Sequence, residues 1–194
     1  GLVVSSAEIY DPVTGTFSLT TGSLTDARAA HTATLLSDGR VLIAGGFDAN
    51  PGAALSSAEL YDPVSGTFTP TGSMGESRQL HTATRLPGDQ VLITGGAGEV
   101  PPTSALSSAE LYDPATGTFG PAGFMDTSRY SPAAALLADG RVLVTGGVTT
   151  GGATLVEAEL FYPFYPFELM DLPGQWSGSY SWNCSDLGDG SRIG

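Results

Sequence analysis

The sequence predicts an all-β protein built from repeated four-stranded units arranged as the blades of a propeller. Three observations predict it. A block of twelve residues recurs at a spacing near 50, each period divides into four short apolar runs separated by turn residues, and no helical periodicity occurs. Composition agrees: 27 Gly and 13 Pro stand beside 41% hydrophobic residues. Dense turn chemistry with moderate hydrophobicity suits short strands.

The recurring block is clearest at Ser6–Phe17, Ser57–Phe68 and Ser108–Phe119. A second block, Ala27–Thr34, returns at Ser77–Thr84 and more weakly at Ser128–Ala135. A third ends in paired glycines: Gly45-Gly46, Gly95-Gly96 and Gly146-Gly147. Markers that hold one phase define a period. They divide residues 1–163 into a partial blade (1–26), two complete blades (27–76 and 77–127) and a second partial blade (128–163). Residues 164–194 form a tail that matches no repeat, and Trp176, Tyr180 and Trp182 in it find no register.

Within a period, the first strand is expected near His31 to Leu36. Asp38-Gly39, like Asp139-Gly140, is a hairpin signal, because both residues accept positive φ. The second strand is Arg40 to Ala44. Its core, Val41-Leu42-Ile43-Ala44, is apolar on both faces, as are Val91-Leu92-Ile93 and Val142-Leu143-Val144. A strand covered on one side would alternate, so these strands are expected to lie between two neighbouring blades. The glycine pair that follows lets backbones approach closely where blades crowd together. A longer loop leads to the third strand, about Ser57 to Tyr61. Asp62-Pro63-Val64-Ser65-Gly66 makes a turn in which Asp accepts local bonds, Pro fixes φ and Gly takes a left-handed position. The fourth strand starts near Thr67-Phe68.

The order Arg28…His31, Val41-Leu42-Ile43-Ala44-Gly45-Gly46, Ala58-Glu59-Leu60-Tyr61-Asp62-Pro63, Gly66-Thr67-Phe68 resembles the kelch repeat, in the bacterial form that is also similar to the propeller of galactose oxidase. The resemblance spans about residues 3 to 163. Phe17, Phe68 and Phe119 stand where many kelch repeats carry Trp, an apolar replacement without the indole donor. Two complete and two partial units fall short of the roughly four to eight blades of a closed ring. The expectation is therefore a piece of a longer polypeptide, or copies that associate to complete or extend the ring.

Net charge is −13, and the seven basic residues are all Arg, so clustered positive charge for nucleic acid or anionic lipid is lacking. No apolar run approaches the roughly 20 residues of a membrane-spanning helix, and membrane insertion is not expected. The single cysteine, Cys184, has no internal partner for a disulfide. Asn183-Cys184-Ser185 fits a glycosylation acceptor pattern, which reads as coincidence in a bacterial-looking chain.

Candidate site residues follow the repeat. Glu8, Glu59, Glu110 and Glu159 recur in each third strand, and Arg28, Arg78 and Arg129 precede each first strand. Opposite charges in fixed phase suggest ion pairs or hydrogen bonds that knit one blade to another, since the planar guanidinium bonds carboxylates and carbonyls in two directions. The competing reading is an Arg ring near the axis that grips an anionic ligand. His31 and His81 occupy one repeat position, with Pro132 next in the series, and read as packing residues. Copper enzymes similar to galactose oxidase also need tyrosine ligands, one cross-linked to cysteine. No Tyr here aligns with that role, so nothing of that site carries over, and no catalytic residue, metal or cofactor is expected. Asp11, Asp62 and Asp113 read as turn residues rather than calcium ligands. The functional expectation falls on the loops between second and third strands, Phe47 to Leu55, Ala97 to Leu106 and Val148 to Leu155, where Asp48, Asn50 and Glu99 would face a ligand.

Three readings of function stay open. The first is a non-catalytic binding or scaffolding module for protein or glycan, secreted or at the cell surface. The second is the non-catalytic portion of a carbohydrate-oxidising enzyme similar to galactose oxidase. The third is a structural part of a surface assembly.

Overall fold

The structure, a computed structural model, describes residues 3–49, 53–98, 104–162 and 180–182. Trp176, Cys184 and the sequon at 183–185 lie outside them. The described residues form fourteen strands and no helix. β1 (Glu8–Asp11) and β2 (Thr16–Leu19) make a two-stranded unit. Blade one is β3 (Thr32–Leu35), β4 (Val41–Ala44), β5 (Ala58–Asp62) and β6 (Thr67–Pro70), in that order. Blade two is β7 (Thr82–Arg85), β8 (Val91–Thr94), β9 (Ser108–Asp113) and β10 (Thr118–Phe124). Blade three is β11 (Ala133–Leu136), β12 (Val142–Thr145), β13 (Ala158–Phe161) and β14 (Tyr180–Trp182). Every pairing is antiparallel between sequence neighbours, as expected of a blade that meanders outward from its first strand.

Blade three departs from the sequence expectation in one respect. Residues 164–194 show no repeat pattern, yet Tyr180–Trp182 supply its fourth strand, pairing Ala158 with Trp182, Glu159 with Ser181 and Leu160 with Tyr180. A fourth strand lies at a sheet edge and is held by main-chain bonds to one neighbour, so the fold places weak demands on its side chains.

The apolar second strands lie where two-sided burial is needed. In blade two, Val91, Leu92, Ile93 and Thr94 are all buried. Val91 and Ile93 face Leu36, Leu42, Ala44 and Leu60 of blade one, with Tyr112 and Met74 in the same core. Leu92 faces the other way, onto Val142 and Val144 of blade three, with Leu86, Ala109, Ala122 and Met125. Blades one and two therefore each offer a trailing face rich in Leu and Ala to the next blade, which meets it with Val91, Ile93 and Tyr112 in blade two and with Val142 and Val144 in blade three. The fully buried aliphatic side chains of such a core each stabilise by about 1.5–3 kcal/mol.

Turn chemistry follows the sequence reading closely. In the turn after β5, the Val64 amide donates to Asp62 Oδ1 at 2.8 Å, the Ser65 hydroxyl to Oδ2 at 3.0 Å and the Gly66 amide to the Asp62 carbonyl at 2.8 Å. The Phe that replaces Trp still has its aromatic neighbour: Tyr61–Phe68 and Tyr112–Phe119 stack tilted, with centroids 4.8 Å apart. Between blades, Thr71 and Tyr112 share a hydroxyl hydrogen bond at 3.0 Å.

The inner strands are joined by a feature with no residue signature. Ala30, Leu80 and Ser131 hold φ of 52°, 54° and 52° at equivalent positions. The Leu80 amide donates to the Ala30 carbonyl (3.1 Å) and the Ser131 amide to the Leu80 carbonyl (2.8 Å), so a main-chain ladder runs from blade to blade. Left-handed backbone at a non-glycine residue is unfavourable by about 1–2 kcal/mol, and these contacts hold it in place.

Candidate functional site

The charged markers converge into one cluster per blade. Arg78 leads into β7, and its side chain is fully buried. One guanidinium nitrogen donates to the Gly95 carbonyl at 2.8 Å and the Ser108 carbonyl at 3.2 Å. The other donates to the Ser108 hydroxyl at 3.1 Å and to Glu110 at 2.8 Å. Glu110 also accepts from the main-chain amides of Gly75 and Glu76, in the segment that carries the chain in from blade one. Arg28 repeats the pattern with Gly45, Ser57 and Glu59, and Arg129 with Gly146, the Glu157 carbonyl and Glu159.

Of the ion pairs or hydrogen bonds expected to join one blade to another, hydrogen bonds do so, through the Glu110 carboxylate and the Arg78 carbonyl, but the ion pairs do not. Each lies within one blade instead, joining the lead-in of the first strand to the third strand of the same sheet. The reason is geometric: Glu59 pairs with Ile43 across β4 and β5, beside the Gly45 carbonyl that the same guanidinium grips. The arginine backbone also reaches the neighbouring blade. The Gly46 amide donates to the Arg78 carbonyl and the Gly96 amide to the Arg129 carbonyl, both at 2.9 Å. The arginine thus ties its own blade by its side chain and the preceding blade by its main chain. The buried guanidiniums are turned into the sheet, away from solvent.

The glycine pairs make room for this junction. A Cβ on Gly45 would stand 2.4 Å from the Arg78 carbonyl oxygen, and one on Gly95 would stand 2.6 Å from that of Arg129. Both glycines hold positive φ, which is the conformation glycine accepts without steric cost.

His81 belongs to the same junction. It is buried, its Nε2 is 2.9 Å from the Thr32 hydroxyl of blade one, and its Nδ1 has no hydrogen-bond partner. Burial, followed by the nearby Arg78 and His31, pushes its pKa down to about 3, so the ring is neutral near neutral pH. His31 keeps an exposed ring, and its pKa is lowered too, chiefly by partial desolvation and then by Arg28. The two rings occupy equivalent positions one blade apart. Among the described residues, no group of three or more His, Cys, Asp or Glu is placed to hold a metal.

The loops between second and third strands rise from this base. Phe47 bridges Ala29 on one side and Ala54 on the other; Ala97 and Val148 do the same in the next blades. These bridges pin each loop to the lead-in segment that carries the buried arginine, so loops and blade-to-blade connections share one face. Ala105 of the second loop donates its amide to the Thr150 hydroxyl of the third at 2.9 Å. Asp48 lies in the first loop, its amide bonded to the Ala53 carbonyl at 3.2 Å. Asn50 and Glu99 lie outside the described residues. The opposite face carries the Asp turns, with Val13 and Val64 almost fully exposed at their tips. Sequence reasoning missed one contact there: Asp89 accepts from the Ser37 amide and hydroxyl, linking the first hairpins of two blades at 2.8 and 2.6 Å.

Residues 28–75 match the family model described as Kelch motif. The matched span runs from the first buried arginine through blade one to the connection into blade two. No curated protein matches the chain.

Proposed function

Starting from a chain of kelch repeats, which generally mediate protein binding as propeller modules, we propose that this protein is a non-catalytic binding and scaffolding module. Its partner-facing surface is the face that carries the loops 47–55, 97–106 and 148–155, and its partner is a protein or a glycan. The observation that carries this reading is the anchoring of each loop by the Phe47, Ala97 and Val148 bridges to a lead-in held by a buried ion pair. Loops on so stiff a base present contacts with little ordering cost on binding, which favours affinity.

The test replaces the exposed tip of the third loop, Gly151 to Ala153, with an equally long Gly/Ser segment and leaves Thr150 and Thr154 in place. The variant and the wild type are then compared on a glycan array and in crosslinking against a defined panel of candidate partner proteins. The reading expects lost binding with an unchanged unfolding midpoint. Binding that survives replacement of all three loop tips overturns it.

A further inference from the structure

Three Asp-Gly pairs occur in the sequence. Asp38-Gly39 turns from β3 into β4 and Asp139-Gly140 from β11 into β12, while Asp189-Gly190 lies outside the described residues. An aspartate followed by glycine is open to an internal reaction, because glycine has no side chain to keep the neighbouring carboxyl away from its amide nitrogen. Blade two is built differently. Its turn reads Gly88-Asp89-Gln90, so the acid takes the place of Gly39 at a φ of 76° and is followed by Gln. The Asp89 carboxylate is turned to the Ser37 amide and hydroxyl of blade one.

In both described Asp-Gly turns the arginine two residues on holds the carboxylate. Asp38 accepts from the Arg40 amide at 3.0 Å and from its Nε and Nη2 at 2.7 Å. Asp139 accepts from the Arg141 amide at 3.1 Å, its Nε at 2.7 Å and its Nη2 at 2.6 Å. These donors keep both carboxyls below the ordinary range, the Arg40 amide foremost at Asp38 and the Arg141 guanidinium at Asp139. The turns are not equally guarded. Arg141 also donates to the Tyr162 hydroxyl at 3.2 Å and lies over its ring, and Gly140 is buried. Gly39 is only half-buried.

We propose that Asp38 is a site of spontaneous backbone isomerisation and that Arg40 is the positioning residue that restrains it. The reacting form is the uncharged acid, since a carboxylate repels the attacking nitrogen and offers no leaving group. The Gly39 nitrogen attacks Asp38 Cγ; an N–Cγ bond forms as the Cγ–OH bond breaks, and water leaves with that hydroxyl and the amide proton. The cyclic imide then takes up one water. Addition at the former main-chain carbonyl breaks its bond to the Gly39 nitrogen and leaves the chain running through Cγ. The product, isoaspartate, has the same mass and one more methylene in the main chain. In a turn flanked by Leu36 and Leu42, both buried between blades one and two, that added length loosens blade one.

The test holds the full chain for some weeks at about pH 6, where roughly one carboxyl in a hundred of ordinary pKa is protonated. Electron-transfer fragmentation of proteolytic peptides then locates isoaspartate. It is expected at Asp38, more slowly at Asp139 and not at Asp89. Arg40→Ala should raise the rate at Asp38 about two- to fivefold, the scale of one exposed ion pair, and leave Asp139 unchanged. Arg40→Lys, which keeps a cation beside the carboxylate, should stay near the wild-type rate. No isoaspartate at Asp38, while a synthetic peptide of residues 33–44 forms it, overturns the proposal. So does an Arg40→Ala rate equal to that of the wild type. Acceleration at Asp38 and Asp139 together overturns the role of Arg40, since unfolding rather than a lost pair would then set the rate.

Discussion

The Thr127 hydroxyl donates to the Glu157 carboxylate at 3.4 Å, with hydroxyl and acid on opposite sides from their counterparts in the other two blades. In blade one, Ser57 on the third-strand side donates to Asp26 on the lead-in at 2.7 Å. Blade two bonds Ser108 to Glu76 in the same sense. In blades one and two the hydroxyl accepts from the buried guanidinium and the carboxylate lies 3.5 Å from it, whereas blade three exchanges the two groups and keeps the bond between them. What the junction requires is the pair, not the identity of either position.

A double-mutant cycle checks this. Thr127→Asp alone sets a second carboxylate against Glu157, and Glu157→Ser alone leaves two hydroxyls with no acid. The double variant rebuilds the order of blade one. We expect each single change to lower stability and the pair to recover it, with a favourable coupling of about 0.5–3 kcal/mol in chemical unfolding. Additive effects would show that the two residues act separately.

The ion pair itself is expected to be indispensable to folding. Arg78→Ala leaves Glu110 buried with its two amide donors and no cation, a loss of about 3–5 kcal/mol for a broken buried pair. Arg78→Lys should fall only a little short of that, because an ammonium cannot reach the Gly95 carbonyl, Ser108 and Glu110 together as the planar fork does. Urea unfolding measures both. A lysine variant with wild-type stability and lost anion binding would instead restore the ligand-gripping role for this arginine.

Most of this architecture is legible in the chain because the repeat reports itself three times. Val91-Leu92-Ile93 reads as a strand covered on both faces, and it is. Asp62-Pro63-Val64-Ser65-Gly66 reads as a turn with Asp as acceptor of local backbone bonds, and its carboxylate accepts from the Val64 amide and also from the Ser65 hydroxyl. The convergence of Arg and Glu is legible from phase alone, but not its location, because phase cannot distinguish a contact within a sheet from one across to the next. Two features leave no mark. Ala30, Leu80 and Ser131 share a left-handed backbone while sharing no side-chain chemistry, since the conformation is imposed by bonds to neighbouring blades. Tyr180–Trp182 join blade three through main-chain pairing, which any sequence of suitable length can offer.

The glycine pairs provide an internal control for close approach. Gly45 and Gly146 share a φ of +63°, yet a Cβ on Gly45 meets the Arg78 carbonyl at 2.4 Å whereas one on Gly146, among the described residues, meets nothing nearer than the Leu155 carbonyl at 3.8 Å. Gly146→Ala should therefore cost only its left-handed strain, about 1–2 kcal/mol. Gly45→Ala should add a further 1–3 kcal/mol, roughly the penalty of overpacking. Thermal unfolding of the two variants side by side decides it; equal losses would mean that the blade junction yields without cost.

Acid should weaken the fold in a window set by His81. Its folded pKa, about 3, lies below the ordinary 6.5. Below 6.5 the unfolded chain therefore takes up a proton that the folded chain refuses. The stabilisation is complete above pH 6.5 and declines as pH falls toward 3, by up to about 1.4 kcal/mol per pH unit. His31, lowered by burial and by Arg28, adds in the same direction. Asp11, Asp38, Asp62 and Asp139, lowered chiefly by local amide and arginine donors, hold their contribution until pH falls below 3.8. The two windows are therefore separable. Unfolding free energies measured between about pH 7 and pH 4.5 should fall in the wild type and fall less in His81→Gln, whose amide can still meet the Thr32 hydroxyl. Equal slopes in the two proteins would mean that the His81 ring gains its proton in the folded state, by a junction between blades one and two that opens to water.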